Sequence, residues 1–206
     1  MWIVCSHDLS YKAWLENGHH FKGDYEDAEK MLCDIAKALR YLQGQRVLHN
    51  DIKPSNILYR RETGAKLIDF GCAQHGPKTR SGRGSPWYTP PEYLAHGYGG
   101  FPAEIWGLGI VMIFLLKLMP LPEFSQGWIT EDIKLNHKDK TELKDIEHKK
   151  GVKAKQAMGA WLTTVRRVRS MLPKNAVAET VYKMLDGYLD TRVQAQELVT
   201  HINNQG

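Results

Sequence analysis

The chain has 206 residues, 42% of them hydrophobic, 10% aromatic and 25% charged. This is the balance of a folded globular domain large enough to bury a core without staples or a structural metal, and it excludes wholesale disorder. A net charge of +5 is too small to imply a nucleic-acid partner. Three cysteines (Cys5, Cys33 and Cys72) with no CxxC pair argue against a disulfide scaffold and for a reducing, cytoplasmic or nuclear compartment. The first residues show no basic stretch leading into an apolar one, so no secretory signal is read. The longest apolar run, Ile105 to Met119, is broken by Lys117 and is too short to span a bilayer, so no membrane partner is expected.

In chain order, Trp2-Ile3-Val4-Cys5 reads as a short strand and Leu9 to Leu15 as a short helix. Asp24 can cap a longer helix on which Ala28, Met31, Leu32, Ile35, Leu39 and Leu42 recur at helical spacing, with Gly44 at its end. Three strand-like runs follow, Arg46-Val47-Leu48, Ile57-Leu58-Tyr59 and Lys66-Leu67-Ile68, the last two joined by a turn at Glu62-Thr63-Gly64. Residues 71–91 are rich in Gly, Pro, Ser and basic residues and read as a long loop, of a length that is usually functional or disordered. Pro102 opens a buried apolar helix predicted to run to Met119, where Pro120 and Pro122 stop it. Residues 123–156 are polar and poorly periodic, the pattern of an insertion. From Lys134 to Lys155 eight lysines face Asp139, Glu142, Asp145 and Glu147, a mixed-sign run that reads as a solvated face. Helical patterns resume at Trp161 to Met171, Val177 to Leu185 and Val193 to Ile202.

The chemistry concentrates in His49-Asn50-Asp51-Ile52-Lys53-Pro54-Ser55-Asn56, on a loop between two short strands. Phosphoryl transfer needs this set: a carboxylate to accept a hydroxyl proton, a lysine to offset phosphate charge and an amide to hold a metal. Eighteen residues after Asp51 stands Asp69-Phe70-Gly71, and a carboxylate at the end of a strand suits Mg²⁺, which takes oxygen ligands. His19, His20 and His49 have no metal-ligand spacing.

These residues resemble the C-terminal lobe of a eukaryotic-type serine/threonine protein kinase. His49 through Asn56 is similar to the family's catalytic loop and Asp69-Phe70-Gly71 to its metal-binding turn. Gly84-Ser85-Pro86-Trp87-Tyr88, ending in Pro90-Pro91-Glu92, is similar to its substrate-docking segment. Glu104-Ile105-Trp106-Gly107-Leu108-Gly109 resembles the start of its central buried helix, and Leu185 to Arg192 the stretch carrying a late arginine that pairs with the docking-segment Glu. The resemblance implies a mainly α fold with a few short β-strands (α+β), one kinase-like lobe over 1–206. Within it come a hinge at 2–8, the catalytic loop at 49–56, an activation segment at 69–92 and the insertion at 123–156. It also implies roles: Asp51 as base or hydroxyl-orienting group, Lys53 as phosphate contact, and Asn56 and Asp69 as Mg²⁺ ligands beside bound ATP. Leu58 would floor the adenine, and Val4 stands in the hinge that meets its edge. Lys53 with Ser85 fits the serine/threonine pattern.

Several positions depart from the family. Asn50 replaces the usual arginine, so the loop lacks the cation that ordinarily reads a phosphate on the activation segment. Glu104 stands where Asp is usual, its extra methylene moving a carboxylate that would bond catalytic-loop amides. The Gly-rich loop, strand lysine and helix glutamate that precede the family's hinge find no room before residue 2; Gly18, Gly23 and Gly44 are scattered and cannot substitute. The expectation is therefore a lobe that binds ATP and Mg²⁺ weakly and transfers phosphate poorly or not at all alone. Its upper face would remain for a protein substrate or a covering protein. A non-catalytic pseudokinase scaffold is the alternative. A small-molecule kinase shares the loop chemistry but has no use for the docking segment.

Overall fold

The computed structural model describes residues 7–8, 14–17, 19–80, 84–122 and 156–203. Among the described residues the body is formed by the helices α1 (Tyr25–Gly44), α2 (Pro91–His96), α3 (Phe101–Leu115), α4 (156–170), α5 (Ala176–Met184) and α6 (Ala195–Asn203). Nine strands of two to four residues accompany them among the described residues: β1 (His7–Asp8), β2 (Leu15–Glu16), β3 (His20–Phe21), β4 (Val47–Leu48), β5 (Ile57–Arg60), β6 (Gly64–Leu67), β7 (Gln74–His75), β8 (Lys78–Arg80) and β9 (Tyr98–Gly100). All pairings are antiparallel. They make one three-stranded sheet in the order β1-β5-β6 and the pairs β2-β3, β4-β7 and β8-β9.

Helix α3 is the centre. From Glu104 to Leu115 every residue is buried, as a helix apolar on all sides requires. Helix α1 packs against it through Met31, Leu32, Ile35 and Leu39, and α5 and α6 close the other sides. Helix α1 starts at Asp24, whose carboxylate accepts the Asp27 N–H at 2.9 Å while Asp27 accepts the Asp24 N–H at 3.0 Å, a reciprocal cap. The buried Asp27 carboxylate also accepts the Tyr59 hydroxyl at 2.8 Å and the Arg61 guanidinium at 2.8 and 2.6 Å. Burial pushes its pKa up, but Arg61, the Asp24 amide and Tyr59 outweigh that and hold it at about 2. One side chain thus caps α1 and pins β5 to it.

The segment 71–91, a loop by composition, is partly strand: β7 pairs with β4, and β8 with β9 in the register Thr79 opposite Gly99. Composition missed both because two- and three-residue strands carry no period. Leu15, predicted to end a helix, pairs with Phe21 in a hairpin instead. Helix α3 stops at Leu115, short of the predicted Met119, because Lys117 takes a left-handed φ of 59°. The described part of helix α4 includes residues 156–160, which precede the predicted start at Trp161. The hinge residues 2–6, including Val4, and the insertion up to residue 155 lie outside the described residues.

Glu92 and Arg192 form the expected buried bidentate pair, with Nη1 to Oε1 at 2.8 Å and Nη2 to Oε2 at 2.9 Å. Arg192 also donates to the Asp186 carbonyl at 2.9 Å and the Pro102 carbonyl at 3.0 Å, and lies over the Trp106 ring. One guanidinium ties α2, α3 and the turn before α6. Arg192→Ala leaves Glu92 buried and unpaired and lowers the unfolding free energy by about 3–5 kcal/mol in urea titrations. The Glu92→Gln, Arg192→Ala double variant loses less than the sum of the single losses.

Candidate active site

Between β4 and β5 the chain must turn without a helix or sheet to satisfy its amides, and buried carboxylates and carbonyls do so instead. Glu104, on the first turn of α3, accepts the His49 N–H at 3.0 Å through Oε2 and the Asn50 N–H at 2.7 Å through Oε1. The longer side chain at this position still reaches both amides. Burial drives its carboxyl pKa up to about 7, with the two amide bonds pulling the other way.

Asp51 sits at the meeting point of three segments. Its Oδ1 accepts the Ser85 N–H at 2.9 Å and the Ser85 hydroxyl at 3.0 Å; its Oδ2 accepts Asn56 Nδ2 at 3.0 Å and pairs with Lys53 Nζ at 2.7 Å. Lys53 Nζ in turn donates to Ser85 Oγ at 3.0 Å. Partial burial raises the Asp51 pKa, but the Lys53 ammonium, Ser85 and Asn56 together bring it below the usual carboxylate value. Asp51 is an ionised acceptor at neutral pH.

Asn56 is buried, in the 3-10 turn Pro54–Asn56. Its Nδ2 donates to the Asp51 carbonyl at 2.8 Å as well as to the carboxylate, which commits both amide hydrogens and leaves Oδ1 as its ligating atom. Its carbonyl accepts the Ile68 N–H at 2.9 Å, so the residue before Asp69 is bonded to Asn56. Asp69 itself is exposed, with φ 60°, and its Oδ1 accepts the Gly71 N–H at 3.1 Å. An amide oxygen and an exposed carboxylate are the hard donors Mg²⁺ takes. Leu58, half-buried on β5, lies opposite Asp8 across the β1-β5 ladder, so the end of the hinge stretch runs beside the expected adenine floor.

Sequence reasoning passed over His49. Its ring is fully buried, donates Nε2–H to the Ile68 carbonyl at 2.9 Å, accepts the Asp51 N–H on Nδ1 and packs edge-on against Phe70. Burial lowers its pKa. Only its position two before Asp51 marked it.

A family model described as "Protein kinase domain" matches residues 4–202. Over 98% of its length the chain is 31% identical to Serine/threonine-protein kinase PAK 5 of Rattus norvegicus, covering 25% of that protein. It is 34% identical to Serine/threonine-protein kinase DCLK3 of Homo sapiens over 54% of this chain and 18% of that protein. It is 40% identical to Ribosomal protein S6 kinase alpha-2 of Homo sapiens over 44% of this chain and 13% of that protein. The chain spans a quarter or less of the length of these curated relatives.

The raised Glu104 pKa sets a pH dependence. Its stabilising contribution is complete below the ordinary carboxyl value of 4.5 and is lost as pH rises to about 7. His49, with its lowered pKa, acts oppositely: stability present above 6.5 is lost as pH falls. Comparing Glu104→Gln with the parent cancels His49. The variant gains on the order of 2–3 kcal/mol relative to the parent between pH 4.5 and 7.5, read from urea midpoints.

Proposed function

Because the chain belongs to the protein kinase family, we propose that residues 1–206 are the C-terminal lobe of a serine/threonine kinase. Its chemistry is transfer of a phosphoryl group from ATP to a protein hydroxyl. The observation that carries this reading is the Asp51 carboxylate, bonded at once by Ser85 of the docking segment, by Lys53 and by Asn56. In this reading the substrate hydroxyl approaches Asp51, whose low pKa makes it an orienting acceptor. The hydroxyl oxygen bonds the γ-phosphorus, the bond to the β,γ-bridging oxygen breaks, and the hydroxyl proton passes to Asp51 late in the step. Lys53 offsets charge on the transferred group. Asn56 Oδ1 and the Asp69 carboxylate would hold Mg²⁺, which supplies neutralisation of phosphate oxygens.

Residues 1–206 contain no Gly-rich loop pattern and no strand lysine ahead of the hinge stretch. The proposal therefore assigns them weak ATP binding and little or no turnover by themselves, since one missing preorganised donor typically costs about 10²–10³ in rate. Phe70, 49% exposed, has one face on His49 and the other available to a substrate or covering protein. That exposed ring favours the second reading, a pseudokinase scaffold. The three cysteines without a CxxC pair support a reducing intracellular setting. Among the described residues no helix is long and apolar enough to cross a membrane.

Calorimetric Mg-ATP titration beside a phosphotransfer assay separates the readings. The expected result is binding weaker than micromolar, with trace turnover or none from residues 1–206. Micromolar binding with turnover abolished by Asp51→Asn and by Asp69→Asn makes the chain a kinase in its own right.

A further inference from the structure

Residue 50 is a node. Its φ of 65° is left-handed, a conformation Asn accepts more readily than most residues with a side chain. From that backbone, Asn50 N–H is held by Glu104 of α3 at 2.7 Å, and Asn50 Nδ2 donates to the Cys72 carbonyl at 3.0 Å. Its own carbonyl is approached by Gly84, which sits at φ 75° where any Cβ would collide with the Asn50 oxygen. Cys72 closes the 3-10 turn Phe70–Cys72, whose Gly71 N–H bonds Asp69 Oδ1. Gly84 precedes Ser85, which bonds Asp51. The Asp69 turn is therefore bonded to Asn50 through its side chain, and the backbone at Gly84, next to Ser85, passes close over its carbonyl.

We propose that Asn50 is a positioning residue whose amide fixes the Asp69 turn relative to Asp51. It acts as a short, uncharged strut. A single methylene places the amide 3.0 Å from the Cys72 carbonyl. The strut carries no charge, so its grip does not depend on an anion in the segment. The proposal rests on the reading of Asp51 and Asp69 as the reacting pair for its catalytic meaning, but the strut is measurable without turnover.

The test is amide hydrogen exchange on residues 1–206, comparing the parent with Asn50→Gly and Asn50→Asp. Both variants tolerate the left-handed backbone. Glycine deletes the amide, and a carboxylate keeps its shape but turns a donor into an acceptor facing a carbonyl. Losing one hydrogen bond corresponds to about tenfold faster exchange, expected over residues 70–80 at pH 8 in both variants with α3 unchanged. At about pH 4, near the ordinary carboxyl pKa, the carboxyl introduced by Asn50→Asp takes up a proton and again donates to the Cys72 carbonyl. That variant then regains protection while Asn50→Gly does not. Glu104 bonds the residue 50 N–H, and His49 and Asp51, the latter paired with Lys53, flank it; all are the same in both variants, so the ratio of the two removes them. Unchanged exchange over 70–80 overturns the proposal. So does equal loosening of α3, or a failure of Asn50→Asp to recover in acid, since either makes the role structural bulk. A parent without phosphotransfer bears on the kinase reading alone and leaves this comparison intact.

Discussion

A carboxylate placed in an all-apolar helix must find donors nearby, and Glu104 finds them in the backbone of His49 and Asn50. The loop that carries Asp51, Lys53 and Asn56 hangs from the most deeply buried helix through those two bonds. Everything local follows from that suspension. His49 is held where its ring fills the core and bonds Ile68, Asn50 is turned left-handed toward Cys72, and Asp51 emerges between Lys53 and Ser85. The arrangement confines a group with a pKa near 7 to the interior, so the anchor carries an electrostatic cost that its two amides only partly offset.

Two further buried groups anchor the fold in the same way. Asp27 gathers the cap of α1, the Tyr59 hydroxyl and the Arg61 guanidinium. Arg192 gathers Glu92, two carbonyls and the face of Trp106. In each case one buried charged side chain satisfies several segments at once. Long-range order in a fold with such short strands comes from these polar nodes as well as from apolar packing.

Much of this was legible in the sequence, and for identifiable reasons. Helix α1 announced itself by spacing and by Asp24, α3 by its continuous apolar run, and Glu92 with Arg192 by motif. Asp51, Lys53, Asn56 and Ser85 were named together and stand together. What escaped was contact that no period encodes. The β2-β3 hairpin, β7 and β8 are too short to alternate, α2 is six residues long, and the Asn50–Cys72 bond joins positions whose types suggest nothing of each other. Asn50 reads in sequence as a missing cation; in the folded chain its amide bonds the Cys72 carbonyl.

The pairing of β8 with β9 has a consequence for chemical access. Thr79 is 3% exposed, its hydroxyl directed to Gln74 Oε1 at 3.4 Å, and it lies opposite Gly99 in the ladder. A modifying enzyme needs an extended, solvent-facing peptide, and this threonine offers one only after the ladder has unzipped. A mark on Thr79 is therefore a record that the segment had already opened, written by whatever reached it during that interval.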